Sequence, residues 1–470
     1  MKIGVIGGGA AGMVCAIALS ENGHKVTLIE HGTRVGRKLL STGNGKCNLS
    51  NTDQRLCHYH GDQRLIEAVF KQVSYGDVIA FLTRLGIFTR NKNGYLYPYS
   101  EQASAVLDVL RFSLLRSGVE VVLEESVTEI RRGDGNENIN SGVGQKSPNE
   151  MVDITSRFLV VTDKKKREFE RVVIAAGSKA APQTGSDGSG YQLARHLGHT
   201  IIKPLPALTF LNSNAPYCAE LAGIRFTAEV SLCIGKRYPN QNQSPDRESK
   251  RKQRSTLKVC MGELLGKESG EVQFTKTGIS GIPVFQLSYL ASKWLSGRKE
   301  VSSFGKRGKE NGFASRETEK LFACLDVMPE LTEEELVSFL KERRERLLGE
   351  GMRAQEFMIG LLPKSMALLL LKLSAIDLNK GLSDISDKEL SVLAKQIRQL
   401  AFPVTGTGSF DKAQVCSGGV AAEELSDTLE SKLVPGLYFV GEIIDVNGDC
   451  GGYNLTWAFA TGLLVGRKIK

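Results

Sequence analysis

Residues 1–30, MKIGVIGGGAAGMVCAIALSENGHKVTLIE, decide the reading of this chain. Residues 2–6 form a short apolar run with β-branched side chains, which predicts a buried strand. Gly7, Gly9 and Gly12 follow in the G-x-G-x-x-G spacing. Gly7 permits a tight turn, Gly9 and Ala11 leave backbone close to a pyrophosphate, and Gly12 lets a helix pack against its strand. A helix is predicted from about residue 10 to 22, with Met13, Ala16, Ile17 and Leu19 at helical spacing and Gly23 as the stop. Its free N–H groups and dipole favour an anionic phosphate. Residues 25–29 make a second strand that ends at Glu30. A carboxylate there can accept hydrogen bonds from both ribose hydroxyls and would repel a 2′-phosphate. The glycine spacing alone is a weak signal. The order strand, turn, helix, strand, acid is specific for dinucleotide binding.

The chain has 470 residues, more than one compact core can hold, so two or three domains are expected. Its 41% hydrophobic and 24% charged residues are ordinary for a soluble globular protein. The opening residues run directly into a strand, with no signal-peptide pattern ahead of it. The longest apolar stretch, 366–371, lies between Lys364 and Lys372 and is too short to span a bilayer. A cytoplasmic protein without membrane insertion is the expectation. Nine cysteines are scattered with no C-x-x-C pair, which argues for free thiols and against a zinc ribbon or a dithiol redox centre. His58 with His60, and His196 with His199, have no carboxylate or cysteine companion at ligand spacing, so no metal site is expected. The formal charge of +9 raises the question of nucleic acid. Much of the excess falls in residues 164–167 and 247–258, which read as solvated hairpin tips rather than as a binding groove.

Along the chain, residues 34–52 read as a glycine-rich polar loop. Helical periodicity covers 65–85 and 103–117, and short strands are expected at 120–123, 127–130, 158–162 and 170–175. Between 201 and 300, short β-type runs at 208–211, 228–234 and 271–275 alternate with turn signals, which suggests a small antiparallel barrel or sandwich. Residues 329–400 read as helical, with Thr332 capping the first helix. Residues 133–150, 239–256 and 305–318 hold almost no core-forming side chains and read as polar tips or linkers. A strand at 437–440, a glycine-rich loop and a helix from about Asn454 close the chain. The expected fold is therefore α/β: a discontinuous Rossmann-like domain of the glutathione-reductase type. Its parts are residues 1–200 and 404–470, with an inserted antiparallel β-barrel and helical domain at 201–403.

Two more segments point to the cofactor. Residues 172–176 followed by Gly177 make a buried strand ending in small residues, so backbone at Ala176 and Gly177 can pass close under a bound group. The stretch GLYFVGEIIDVNGD repeats that form, with Gly441 at the strand end and the acids Glu442 and Asp445 beyond it. In flavoproteins of the glutathione-reductase type an acid after such a strand binds the ribityl chain, so FAD is favoured over NAD as the resident cofactor. Between Gly36 and Asn48, Arg37, Lys38 and Lys46 are interleaved with Gly43, Asn44, Gly45, Cys47 and Asn48. Cations and backbone N–H groups there can meet a pyrophosphate and a flavin edge.

These motifs resemble those of the bacterial FAD-dependent oxidoreductases that include aminoacetone-oxidase-like flavoproteins and bile-acid-inducible flavin reductases. They stand here as GGGAAG (7–12), GRKLLSTGNGKCNLSN (36–51), YPYS (97–100), TGSDGSGYQLARHLGH (184–199) and GEIIDVNGDCGGYNLTWAFATG (441–462). The departures are Lys46 for an arginine, the Ser41-Thr42-Gly43 variation and Tyr97 for a phenylalanine. The tips at 133–150 and 239–256 look like local insertions. The resemblance implies that Glu30 takes the adenosine ribose, Arg37 and Lys38 the pyrophosphate region, and Val127 presents backbone to adenine. It implies that Gly441, Glu442, Asp445 and Gly452, Tyr453, Asn454 and Leu455 line the ribityl and isoalloxazine end, with the insert as a cap over an apolar small-molecule substrate.

The implied reaction passes hydride from NADH or NADPH, bound transiently, through FAD to a small acceptor. Within the family that acceptor is best defined as a double bond conjugated to the ketone of a 3-oxo steroid or bile acid. An aminoacetone-type amine oxidase and an RNA-associated flavoprotein are the alternatives. Tyr97, Tyr99 and Tyr453 are candidate proton donors, because a phenol beside a flavin can protonate a reduced carbon.

Overall fold

A computed structural model describes residues 1–133, 157–238, 258–304, 319–348 and 351–470. The chain divides into two compact units, Met1–Pro206 with Ser409–Lys470, and Ala207–Gly408. The polar tips expected at 133–150, 239–256 and 305–318 lie outside the described residues, Gly133 apart. The domain edges expected at 200/201 and 403/404 fall instead at 206/207 and 408/409. The second of these moves because strand Leu400–Thr407 pairs inside the second unit and cannot be cut at 403.

The first unit is built on a five-stranded parallel sheet in the order Leu437–Phe439, Arg171–Ile174, Lys2–Ile6, Lys25–Ile29, Glu120–Val122. The strands at its centre are apolar because both faces are covered; Ile3, Val5, Val172, Val173 and Leu28 are all buried. Strand Leu437–Phe439 reaches the sheet from the far end of the sequence and pairs with Arg171–Ile174 in register Val172 to Leu437. Helix Ala10–Glu21 is buried from Ala11 through Leu19, on all sides rather than along one stripe. Helix Tyr453–Lys468 packs directly on it. A Cβ at Gly462 would sit 2.5 Å from Ala11 O, and one at Gly466 would sit 2.4 Å from Ala18 Cβ. Those glycines let the two backbones touch.

A small antiparallel sheet of Val127–Arg132, Phe158–Thr162 and Lys166–Phe169 completes this unit. The reading of residues 164–167 as a solvated tip holds for Lys164, Lys165 and Lys166, exposed at the turn of its hairpin, and fails at Arg167. Arg167 donates to both oxygens of Glu125, 2.5 and 2.8 Å away, and that carboxylate is only 3% exposed. The helical stretch expected over 65–85 is two helices, Gln63–Gln72 and Tyr75–Leu85. Ser74 caps the second through a reciprocal pair with Asp77, which ends the first at Val73. Residues 34–52 are not a plain loop: Lys38–Gly45 forms 3₁₀ turns with a kink at Thr42–Asn44, and Ser50–Asn51 pairs with Tyr95–Pro98.

In the second unit six strands close into a barrel: Leu211–Ser213, Gly278–Gly281, Lys258–Thr275, Arg225–Tyr238, Glu319–Asp326 and Leu400–Thr407, with the last pairing back to the first. Val230, Leu232, Phe274, Ala323 and Phe402 belong to its core. Helix Ile282–Phe304 was not expected, since 201–300 reads as β-type runs. Val284, Leu287, Ser288, Ala291 and Ser292 are among its buried residues, at helical spacing. Thr332 caps Glu333–Leu347 as its sequence predicts, and Lys364–Leu373 and Asp387–Arg398 follow. The last helix expected within 329–400 ends at Arg398, and Leu400 belongs to a strand because it completes the barrel.

Candidate functional site

The turn between strand Lys2–Ile6 and helix Ala10–Glu21 is shaped by its glycines. Gly7 has φ +104°, and a Cβ there would lie 2.5 Å from Ala175 O and 2.9 Å from Ala176 Cα. A Cβ at Gly12 would lie 2.0 Å from Gly7 O. A Cβ at Gly9, by contrast, would meet nothing within 4 Å. Gly9 therefore faces open space at the helix N-terminus, where no side chain caps the first turn. That is a cradle for an anionic group approached by backbone N–H. Ala176 and Gly177 form its floor, with Gly177 at φ +72°.

Glu30 ends the second strand and is tied down at both oxygens. Gly8 N–H donates to Oε2 and Gly32 N–H to Oε1, each at 2.8 Å. These bonds aim the carboxylate and fold the glycine turn against the strand end. The adjoining cavity of about 680 Å³ is polar, lined by His31, Arg34, Arg37, Glu124, Ser126 and Asp163 among others. Ser126, the residue before Val127, is the lining residue; Val127 itself pairs in the antiparallel sheet opposite Thr162. Arg37 donates to Gln183 O at 2.8 Å. Lys38 is held elsewhere: its Nζ lies 2.6 Å from Glu442 Oε2, so the two cations assigned together to the pyrophosphate region have different partners.

Residues 43–48 turn back on themselves. Gly43, Asn44, Gly45 and Cys47 all have φ between +53° and +84°, and a Cβ at Gly43 would lie 2.8 Å from Asn48 N. The Cys47 thiol is buried and pushed up to about 11 by that burial, which makes it a packing group. With its amide nitrogen turned toward them, Asn48 donates to Ser50 O and Leu96 O, which fixes the loop to the neighbouring strands.

The C-terminal residues form the opposite wall. Gly441 N–H donates to Thr461 Oγ1 and Trp457 Nε1–H donates to Gly441 O. Asp445 Oδ1 accepts from Gly418 N–H at 2.7 Å. Gly452, at φ +96°, opens helix Tyr453–Lys468 without a side-chain cap, a second uncapped N-terminus. Asn454 clamps the loop before it, accepting from Gly448 N–H and donating to Gly448 O; Leu455 is half-buried beyond it. Four buried polar atoms are left over there: Glu442 Oε1, Tyr191 Oη and both polar atoms of the Asn447 amide have no partner. Orphaned buried groups cost about 1–3 kcal/mol each, so they mark where a ligand's own polar atoms belong. An open Gly9, two uncapped helix starts, a fixed acid at Glu30 and the unpartnered Glu442 Oε1 and Tyr191 Oη fit FAD, and the Asn447 amide is left for another ligand. When bound, FAD would supply two-electron transfer.

The tyrosines separate clearly. Tyr99 is 64% exposed with the Arg90 guanidinium 4.2 Å from its ring centroid. Tyr97 is half-buried, and its hydroxyl is raised by that burial. Tyr453 is buried and stacks on His58 with ring centroids 4.5 Å apart; burial raises its hydroxyl far above the ordinary phenol range. In Tyr97 and Tyr453, burial thus holds the phenol in its protonated form.

Spacing gives His58 and His60 no carboxylate companion, and the fold corrects this. Asp449 lies 3.0 Å from His58 Nδ1 and 2.8 Å from His60 Nε2, while Asp53 lies 3.0 Å from His58 Nε2. His199 likewise meets Glu424 at 2.9 Å and Ser431 at 2.8 Å, and burial lowers its pKa. Among the described residues no group of three or more His, Cys, Asp or Glu could hold a metal ion. Among them, too, no helix is long and apolar enough to cross a membrane.

Comparison with known proteins adds the following. The family described as HI0933-like protein Rossmann domain matches residues 1–468. The 3-dehydro-bile acid delta(4,6)-reductase of Clostridium scindens is 34% identical over 470 residues, covering 99% of this chain and 98% of that protein. The ribosomal RNA dihydrouridine synthases of Haemophilus influenzae and Escherichia coli are each 25% identical, covering 97% of this chain and 95% of theirs.

Proposed function

The chain belongs to the HI0933-like Rossmann family, and from that premise we propose that it is a flavin reductase of conjugated double bonds. FAD is the cofactor that the cradle and the family support, and oxidoreductase is the reaction class. The acceptor in this reading is a C=C bond conjugated to a carbonyl, with a 3-oxo steroid or bile acid first and a reduced nicotinamide as electron donor. The observation that carries it is the near full-length match to a relative named for saturating such a bond, joined to a cradle that keeps the residues FAD needs.

In this reading Glu30 and the Gly7–Gly12 turn hold the adenosine and pyrophosphate end, while Gly441, Glu442 and Asp445 hold the ribityl end. Lys38 neutralises Glu442 and keeps that wall from repelling a pyrophosphate. The bound cofactor exchanges two electrons, and the chain contributes position, electrostatics and a proton.

A uracil in RNA is the second reading, and its chemistry is related: dihydrouridine arises by saturating a C=C bond conjugated to a carbonyl. Two relatives carry that name. A specific surface also favours it. Lys46, Arg90 and Lys92 surround the single carboxylate of Glu101, beside exposed Tyr99 and Phe88. Cations interleaved with aromatics suit a single strand.

The deciding experiment mixes purified holoprotein anaerobically with NADH or NADPH, then with 4-androstene-3,17-dione, cyclohex-2-en-1-one or uridine-containing RNA. Flavin bleaching followed by reoxidation with one acceptor identifies it. Bleaching with no reoxidation by any of them would reject the reductase reading.

A further inference from the structure

Strand Tyr59–Gly61 pairs antiparallel with Val446–Gly448, with His60 opposite Asn447 and Tyr59 opposite Gly448. Alternation puts Tyr59 and Gly448 on one face and His60 and Asn447 on the other. The Tyr59 face is core, packed on Phe70 and Trp457. The other face is polar, and Asp449 continues it. Asn447 is 2% exposed, yet neither its amide nitrogen nor its oxygen has a partner.

Around it the charges are arranged in series. Arg55 and His58 hold Asp53 well below the usual carboxylate range. His58 has a carboxylate oxygen 3.0 Å from each ring nitrogen, Asp53 on one side and Asp449 on the other. The ring is thus held between two carboxylates, and any ring N–H it carries donates to one of them. The Tyr453 ring stacked on it fixes its plane. Asp449 is thereby oriented, and its second oxygen meets His60 Nε2 at 2.8 Å. Asp449 is followed by Gly451 and Gly452, which lead into the uncapped helix start at the flavin end of the cradle.

We propose that this face receives the acceptor: the Asn447 amide N–H donates to the acceptor's carbonyl oxygen, and the proton held between His60 Nε2 and Asp449 is the one delivered to its α-carbon. This rests on the reductase reading above. Saturating the double bond takes a hydride at the β-carbon and a proton at the α-carbon. The hydride is the two-electron contribution of the reduced cofactor, itself recharged by a reduced nicotinamide; the proton comes from His60, which solvent reprotonates. The C=C π bond is lost and two C–H bonds form. Hydrogen bonding to the carbonyl draws electron density from the β-carbon, so Asn447 favours the transfer while His60 completes it. His58 and Asp449 are positioning residues. Asn447 Oδ1 would accept an N–H beside the carbonyl where one exists, as in a uracil, and stay unused with an enone.

The test uses full-length holoprotein and the variants Asn447→Leu, His60→Gln and His60→Ala. Cyclohex-2-en-1-one and uridine are the acceptors, and cyclohexanone is the unreactive carbonyl probe. FAD content and the rate of bleaching by NADH or NADPH stay within about twofold of native in every variant. Cyclohexanone shifts the oxidised flavin spectrum of the native protein, and Asn447→Leu weakens that titration at least tenfold. His60→Gln slows reoxidation by about 10²–10⁴-fold, the range for one general acid. Added imidazole restores part of the rate to His60→Ala, which a structural role would not produce; if that variant loses its FAD, the Gln and Leu variants decide. Reoxidation of all variants at the native rate overturns the proposal and leaves the reductase reading standing. A native protein that is reoxidised neither by these two nor by 4-androstene-3,17-dione or uridine-containing RNA overturns that reading instead. In that case a cyclohexanone shift abolished by Asn447→Leu sustains the carbonyl site, and no shift overturns it too. Faster turnover of uridine than of cyclohexenone assigns the site to uracil.

Discussion

Replacing Glu30 by alanine is the most direct probe of the cradle. In the structure both carboxylate oxygens already accept backbone N–H groups, from Gly8 and Gly32 at 2.8 Å each, and each oxygen retains capacity for a ribose hydroxyl. Removing the side chain costs the charge-assisted bonds to the ribose, about 1.5–3 kcal/mol, the range for hydrogen bonds to a charged group. At about 1.4 kcal/mol per tenfold, the FAD dissociation constant should rise roughly 10- to 150-fold. A second effect follows from geometry: without Glu30 the Gly8 N–H loses its anchor and the phosphate turn loosens, so the loss should fall toward the upper end. Glu30→Gln keeps one acceptor oxygen and should lose less than Glu30→Ala. The assay is flavin-fluorescence titration of the apoprotein, with thermal melting of apo and holo forms alongside. Loss of affinity should appear as a smaller FAD-induced rise in melting temperature, by mass action. Unchanged FAD affinity in Glu30→Ala, with altered turnover instead, would place Glu30 outside the cofactor site and undo the argument.

Other outcomes can be checked in parallel. Heat release and chromatography of the purified protein should yield one FAD per chain; recovery of FMN would contradict the adenosine half of the cradle. Gly12→Ala should abolish FAD binding or stable folding, since its methyl would sit 2.0 Å from Gly7 O, backbone that cannot yield cheaply. Glu125 is held near pKa about 2 by Arg167, below its ordinary 4.5. A depressed carboxyl stabilises the fold above about pH 4.5 and loses that contribution as pH falls through its folded value. At about 1.4 kcal/mol per pKa unit the contribution is on the order of 3 kcal/mol. Glu125→Gln should therefore melt well below the native protein at pH 7 and approach it at pH 3; an equal gap at both pH values would discount the ion pair.

How much of this was legible in the sequence depends on the range of the interaction. The first thirty residues are a local unit in which every constraint acts between near neighbours: turn glycines, helix stop, terminal acid. They appear in the structure with strands Lys2–Ile6 and Lys25–Ile29 at their expected ends. The cap at Thr332 is equally local. Helix Ile282–Phe304 also had a signal, the spacing of Val284, Leu287 and Ala291, but short apolar runs of that kind read as strand or helix alike. The kinked turns of Lys38–Gly45 carried no period to read.

What only tertiary structure decided are pairings that cross hundreds of residues. Periodicity cannot report that Asp449 lies beside both His58 and His60, that Lys38 meets Glu442, or that Arg167 neutralises Glu125. Each is created when strands distant in sequence become neighbours in a sheet, as Leu437–Phe439 does against Arg171–Ile174. Whether a titratable side chain is solvated or enclosed is likewise a property of the packed chain. The sequence by itself determined the strand, glycine turn, helix and second strand of residues 1–30, because those contacts are short-range. Which charges the cradle encloses, and that Asn447 is left there with an amide waiting for a partner, was decided by burial, which exists only in three dimensions.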